Sequence, residues 1–143
     1  MLFGQTPHET RALFFISWKK YKHHQPLEAL ERQLVDVICM HPEYHVLLEQ
    51  DSNDWMENGI PSVNGTNPFL HMGLHLAIRE QVALNRPYGI TEIYQTLLQK
   101  HQDPCNVEHL LMEPLAACLW HSQQHQIPPD EITYLQECLK FAK

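Results

Sequence analysis

The sequence lacks the long apolar runs and basic stripes that mark several large classes of protein. No stretch approaches the roughly 18 apolar residues that a membrane span needs. The N-terminal residues show no basic region followed by an apolar run, so we expect neither a membrane span nor a signal peptide. The chain carries 10 Lys and Arg against 17 Asp and Glu, a formal net charge of −7. A broad phosphate-binding surface, and with it nucleic-acid binding, is therefore not expected.

Paired cysteines are also lacking. None of the four cysteines forms a C-x-x-C pair, and three of them fall within helical apolar patterns. Such positions are typical of small buried hydrophobic residues in a reducing compartment. The sequence therefore predicts a cytoplasmic protein.

Helical spacing of the apolar residues is the main structural signal, and no strand pattern, repeat or low-complexity tract is present. Proline next to a capping residue marks several predicted helix starts. The predicted helices cover 7–23, 26 to the break at Pro42, 68–84, 92–100, 104–125 and 128–141, with a polar loop at 51–66. The second helix either kinks at Pro42 or ends before it. We expect an all-α, single-domain bundle of five or six helices over residues 1–143.

Histidine is unusually abundant, with 11 scattered copies. Random placement of that number would give about 0.8 pairs spaced four apart. The sequence has three such pairs, His41/His45, His71/His75 and His121/His125. Residues four apart share a helix face, with Cβ atoms roughly 5–6 Å apart. That separation allows two imidazoles, or an imidazole and a carboxylate, to bind one metal ion.

Two predicted helices carry such pairs although they are apolar nearly all round, a pattern that is typical of helices at the centre of a domain. These pairs are His71/His75 and His109/Glu113. Because burial of polar groups is costly without partners, a shared metal ion is an economical explanation of all four. The sequence therefore predicts these four residues as metal ligands.

The remaining histidine pairs are interpreted differently. His45 or His41 is a further ligand or an outer partner, provided that the second helix continues its apolar face past Pro42. His121 and His125 lie about 120–160° round the helix from His109, so we interpret them as surface residues.

The predicted ligand set is rich in nitrogen and has one carboxylate, which suits zinc, iron or nickel and does not suit magnesium or calcium. Di-iron carboxylate bundles use about four glutamates, and only Glu113 is well placed here. A metal ion with an open position would activate water, so a hydrolytic or oxygen-handling enzyme is one hypothesis.

Two other hypotheses stay open at this point. In the first, the histidines and Glu113 form a metal-free buried hydrogen-bond network in a non-enzymatic structural or adaptor protein. Its partner, another protein or a second copy of the chain, would contact the 51–66 loop around Trp55. In the second, the clustered histidines sense pH, because the ordinary pKa of an imidazole lies near 6.5.

Three strings resemble the bacterial domain-of-unknown-function family 1841: HPEYH at 41–45, TNPFLHMGLHLAIREQ at 66–81 and EHLLMEPLAACLW at 108–120. The similarity covers nearly the whole chain, and the middle string is specific. It implies a small bacterial cytoplasmic protein and transfers no activity. Pro114 departs from the pattern, where a small or polar residue is expected. A looser similarity, in histidine spacing only, links the chain to hemerythrin-like and DinB-like metal-binding helical bundles.

Overall fold

All regular structure in the described ranges, 7–50 and 67–143, is helical in the computed structural model. One turn of 3-10 helix covers Pro42–Tyr44. The seven α-helices of these ranges are α1 (Pro7–Lys22), α2 (Ala29–Cys39), α3 (His45–Leu48), α4 (Pro68–Leu84), α5 (Ile90–His101), α6 (Pro104–His125) and α7 (Glu131–Ala142). The all-α prediction is confirmed. The predicted loop at 51–66, with Trp55, lies outside the described residues.

Capping side chains fix several helix starts. The Asp103 carboxylate accepts from the backbone N–H of Cys105 at 3.0 Å, at the start of α6. The Asp130 carboxylate accepts from the N–H of Thr133 at 3.1 Å, at the start of α7. These bonds satisfy N–H groups that have no partner within the helix. The cap at 103 lies where the sequence predicts it, whereas α7 begins three residues after the predicted start because Asp130 is its cap.

The start of α2 also differs from the prediction. Glu28 precedes the helix, and its backbone N–H donates to the Glu31 carboxylate at 2.9 Å. This reciprocal arrangement is a capping box, which selects Ala29 as the first helical residue in place of Pro26.

Pro42 ends α2 and does not merely kink it. His41, directly before the proline, has φ −126° and ψ 72°, outside the helical region. The ring of a following proline clashes with a helical conformation at the preceding residue, which accounts for these angles. Residues 42–48 then form a 3-10 turn and the separate α3, so the described ranges alone contain one α-helix more than the predicted maximum of six.

The helices group into two compact units, one up to Leu76 and the other from Ala77. In the first unit, α1 packs against α2 and α3. Its buried core consists of Phe14, Trp18, Leu34, Val37, Ile38, Tyr44, Leu47, Leu48, Phe69, Met72 and Leu76. In the second unit, α5, α6 and α7 pack against one another. A single domain over residues 1–143 stays a prediction.

Across the described residues, no helix is both long enough and apolar enough to cross a lipid bilayer. This agrees with the short apolar runs of the sequence.

Candidate metal centre

Three imidazole rings of the first unit converge. The ring centroids of His41, His71 and His75 lie 4.9 Å apart in each of the three pairs. The rings are steeply inclined to one another, with interplanar angles of 84°, 62° and 77°. One potential ligand nitrogen from each ring lies within 4.8 Å of those of the other two. We call these three residues the histidine triangle; their positions are such that they could hold a metal ion.

Helix α4 supplies two corners of the histidine triangle. His71 and His75 are one turn apart, and their Nε2 atoms are 3.3 Å from each other. His75 is fully buried, whereas His71 is partly buried. Two nitrogen ligands of a tetrahedral zinc ion lie roughly 3.3–3.4 Å apart when each is about 2.0–2.1 Å from the metal. The separation of the two Nε2 atoms therefore matches one edge of a zinc coordination tetrahedron.

His41 supplies the third corner, and its orientation is set by the end of α2. Its Nδ1 lies 2.8 Å from the carbonyl oxygen of Val37, and the residue is only 4% exposed. A carbonyl oxygen can only accept, so Nδ1 carries the hydrogen and Nε2 holds the lone pair of the neutral ring. Metal-binding histidines characteristically donate their other N–H in this way, which fixes the tautomer and the direction of the ring.

Tyr44 forms one wall of the histidine triangle. Its ring stacks on that of His41 at a centroid distance of 5.1 Å and an angle of 7°, and lies edge-on to His71 at 6.3 Å. Side chains three residues apart eclipse in a 3-10 turn, which accounts for the stacking. Burial raises the pKa of the Tyr44 hydroxyl, so this wall is a neutral ring at physiological pH.

His45 caps α2. Its Nε2–H donates to the carbonyl oxygen of Ile38 at 2.9 Å, and its ring packs on Trp18 with centroids 4.5 Å apart. The Ile38 carbonyl also accepts from the backbone N–H of His41 at 2.9 Å, so the His45 imidazole supplies a second hydrogen bond at the end of α2. His45 therefore has a structural role, and its part as a metal ligand stays a prediction.

His109 and Glu113 lie on α6, in the second unit, and both are exposed. The Nδ1 atom of His109 is 4.0 Å from the Sγ atom of Cys105, and Glu113 lines a cavity between α6 and α7. The expectation that α6 is buried nearly all round is wrong, because it buries one face and exposes these two residues on another. The buried face consists of Val107, Glu108, Leu111, Met112, Pro114 and Leu115. That His109 and Glu113 are metal ligands stays a prediction.

The pair His121/His125 lies on the surface, as predicted. Both residues are exposed near the end of α6, with ring centroids 4.3 Å apart. Adjacent exposed imidazoles bind divalent transition metals from solution. This pair must therefore be removed in any measurement of metal content.

Sequence reasoning missed the contacts that orient the histidine triangle. Neither the stacking of Tyr44 on His41 nor the capping of α2 by His41 and His45 was predicted. The string HPEYH contains a sequence signal for these contacts. The proline after His41 ends the helix, and the 3-10 turn that follows places the side chain of residue 44 over that of residue 41.

The fold and the site together define an all-α protein with three converging imidazoles in its N-terminal unit. The family described as a domain of unknown function (DUF1841) matches residues 6–140, and the chain belongs to this family. This confirms the resemblance seen in the sequence. No curated protein matches the chain, and no solved structure matches it.

Proposed function

We propose that the protein binds one transition metal ion through the Nε2 atoms of His41, His71 and His75. The observation that carries the proposal is the histidine triangle, in which three steeply inclined rings lie at equal centroid distances of 4.9 Å. Two of the three imidazoles are buried, and burial of polar groups is costly unless they have partners. Packing of apolar side chains does not require such groups to converge, whereas a shared metal ion does.

The ligand chemistry selects the class of metal. Imidazole nitrogen suits zinc, iron, nickel and copper, whereas magnesium and calcium prefer oxygen ligands. The 3.3 Å separation of the His71 and His75 Nε2 atoms fits one edge of a tetrahedral site, the geometry that zinc takes most readily, and we propose zinc on this basis.

The number of protein ligands decides what the metal does. Three ligands leave a position for water, as in catalytic zinc sites, whereas four close the site and make it structural. An open site would activate water for hydrolysis. His109, which the sequence predicts as a ligand, is the proposed fourth, and His109→Ala tests it. A structural ion should be bound at least about 10-fold more weakly by this variant, whereas an open site should be unaffected.

The metal-free network is the second candidate, and one observation favours it. The 3.3 Å between the Nε2 atoms of His71 and His75 is also a hydrogen-bond distance, so one ring can donate to the other. With His41 donating to Val37, the histidine triangle would then be a set of mutually satisfied polar groups in a structural or adaptor protein. A cytoplasmic location, which the free thiols of all four cysteines support, and the bacterial origin that the sequence resemblance implies complete the proposal.

Thermal unfolding with and without chelator separates the two candidates. The protein is produced without a histidine tag in a His121→Ala/His125→Ala background, which removes the surface pair. A bound ion adds about 2.7 kcal/mol when its free concentration is 100 times Kd, so added zinc should raise Tm by several degrees and chelator should reverse this. The variant His71→Ala should show no such shift. A Tm that neither zinc nor chelator moves would support the network.

A further inference from the structure

The second unit contains a cavity of about 540 Å³ between α6 and α7. This volume lies within the range of pockets that hold small organic ligands. The lining includes the aromatic residues Trp120, Tyr134 and Phe141. Trp120 is 62% exposed. An exposed tryptophan beside a cavity is typical of a binding surface, because its large apolar area is costly to leave in water.

The carboxylates of the lining outnumber its basic side chains. Among the described residues, the carboxylates of Glu113, Asp130 and Glu137 and the imidazole of His121 line the cavity, and no lysine or arginine does. Asp130 accepts from Thr133, and Glu137 pairs with Lys140 at 2.8 Å. Within the described residues, Glu113 makes no hydrogen bond or ion pair. The cavity therefore favours a positively charged ligand, and Glu113 is the carboxylate that is available to it.

Two further polar groups of the cavity, a hydroxyl and a thiol, are neutral. Burial raises the pKa of the Tyr134 hydroxyl, which donates to the Gln81 side chain at 2.6 Å. Burial also raises the pKa of the Cys118 thiol, so thiolate is scarce at neutral pH. The lining thus offers aromatic rings and a carboxylate but no activated nucleophile, which is the chemistry of a binding site.

We propose that this cavity binds an organic cation with an apolar body, of the arylalkylammonium class. The ammonium group pairs with the Glu113 carboxylate, and the apolar body packs among Trp120, Tyr134 and Phe141. Aromatic faces attract ammonium groups, and a carboxylate adds a charge-assisted hydrogen bond. This site is independent of the histidine triangle and stands or falls without it.

Titration with 2-phenylethylammonium, followed by NMR and calorimetry with chelator present, tests the proposal. Phenylacetate and 2-phenylethanol share its ring and differ in charge. The amine should bind saturably and shift the indole resonance of Trp120, assigned with Trp120→Phe, whereas the neutral isostere should bind at least about 5-fold more weakly and the anion more weakly still. Equal binding of the amine and the alcohol, or no saturable binding of the amine, would overturn the proposal.

Matched variants test whether the Glu113 carboxylate is the group that pairs with the ammonium ion. Glu113→Gln should weaken binding of the amine about 5- to 10-fold, since it removes one charged partner and keeps the shape of the side chain. Glu92→Gln, on the exposed face of α5, is the control and should leave binding unchanged. Both residues are exposed, so both variants should fold, and circular dichroism checks this. Unchanged affinity in Glu113→Gln would contradict the assigned role.

Discussion

The imidazole of His41 donates its Nδ1–H to the carbonyl oxygen of Val37 across 2.8 Å. The last turn of α2 thereby fixes the orientation of one ring of the histidine triangle. Because Nδ1 carries the hydrogen, the lone pair of the neutral ring is on Nε2. His45 makes the corresponding bond to the next carbonyl, that of Ile38, through Nε2 at 2.9 Å. Two histidines four residues apart thus cap the same helix, and only one of them belongs to the histidine triangle.

This relationship gives a matched pair of variants. His41→Ala and His45→Ala should each destabilise the metal-free protein by about 0.5–1.5 kcal/mol, because each loses one bond to the end of α2. Only His41→Ala should also weaken zinc binding, by at least about 10-fold, since it loses a ligand. Urea unfolding measures the first effect and competition with a zinc indicator the second.

The variant His45→Ala is the control for His41→Ala. If His45→Ala weakens zinc binding as strongly as His41→Ala, the capping role does not account for His45, and the sequence-based prediction of it as a ligand gains support. If neither variant changes zinc binding, His41 is not a ligand.

A buried ion pair in the second unit gives a stability prediction. The Nε of Arg79 donates to the Glu108 carboxylate at 3.0 Å, and the Glu108 side chain is only 5% exposed. Removing one partner of a fully buried pair costs about 3–5 kcal/mol. Because the Arg79 side chain is 31% exposed, we expect Glu108→Gln to cost less, about 1–3 kcal/mol. Denaturant unfolding measures this value.

An exposed pair serves as the comparison. Glu137 and Lys140 are 2.8 Å apart on the surface of α7, and Glu137→Gln should change stability by less than about 0.5 kcal/mol. Equal costs for Glu108→Gln and Glu137→Gln would show that burial of the Arg79–Glu108 pair contributes nothing.

The Glu31 carboxylate predicts a specific pH dependence. Hydrogen bonds from the Lys20 ammonium and the Glu28 N–H hold its pKa below the ordinary value of 4.5. A carboxyl whose pKa is lower in the folded state stabilises the protein above its unfolded pKa. This contribution is lost as pH falls through the folded value.

The test compares wild type with Glu31→Gln between pH 7 and pH 3. Wild type should be the more stable at neutral pH, and its advantage should shrink below pH 4.5. Thermal melts at each pH measure the difference. An advantage that does not change with pH would show that the charge of Glu31 is not what stabilises this end of α2.

Much of the fold follows from local signals, because caps and prolines act on their immediate neighbours. Asp103 with Pro104, and Asn67 with Pro68, predict the starts of α6 and α4. The spacing of His71 and His75 predicts one side of the histidine triangle. The burial of α6 could not be predicted in the same way, because composition does not show which face of a mostly apolar helix meets its neighbours.

The third corner of the histidine triangle depends on tertiary packing. Sequence reasoning made the role of His41 depend on a helix that continues through Pro42, whereas its place in the triangle depends on the helix ending there. The hydrogen bond from His41 to Val37 joins residues one helical turn apart. The contact of His41 with α4, in contrast, brings together residues about thirty positions apart. The spacing of apolar residues within one helix does not predict a contact between helices so far apart in sequence.

The most direct test is the metal content of tag-free protein carrying His121→Ala and His125→Ala, purified without added metal. Plasma mass spectrometry is compared for this protein and for the same protein with His71→Ala. We predict about one transition metal ion per chain in the first and almost none in the second. A first protein that is metal-free, and that still retains no metal after incubation with zinc and dialysis, would contradict the proposed metal centre.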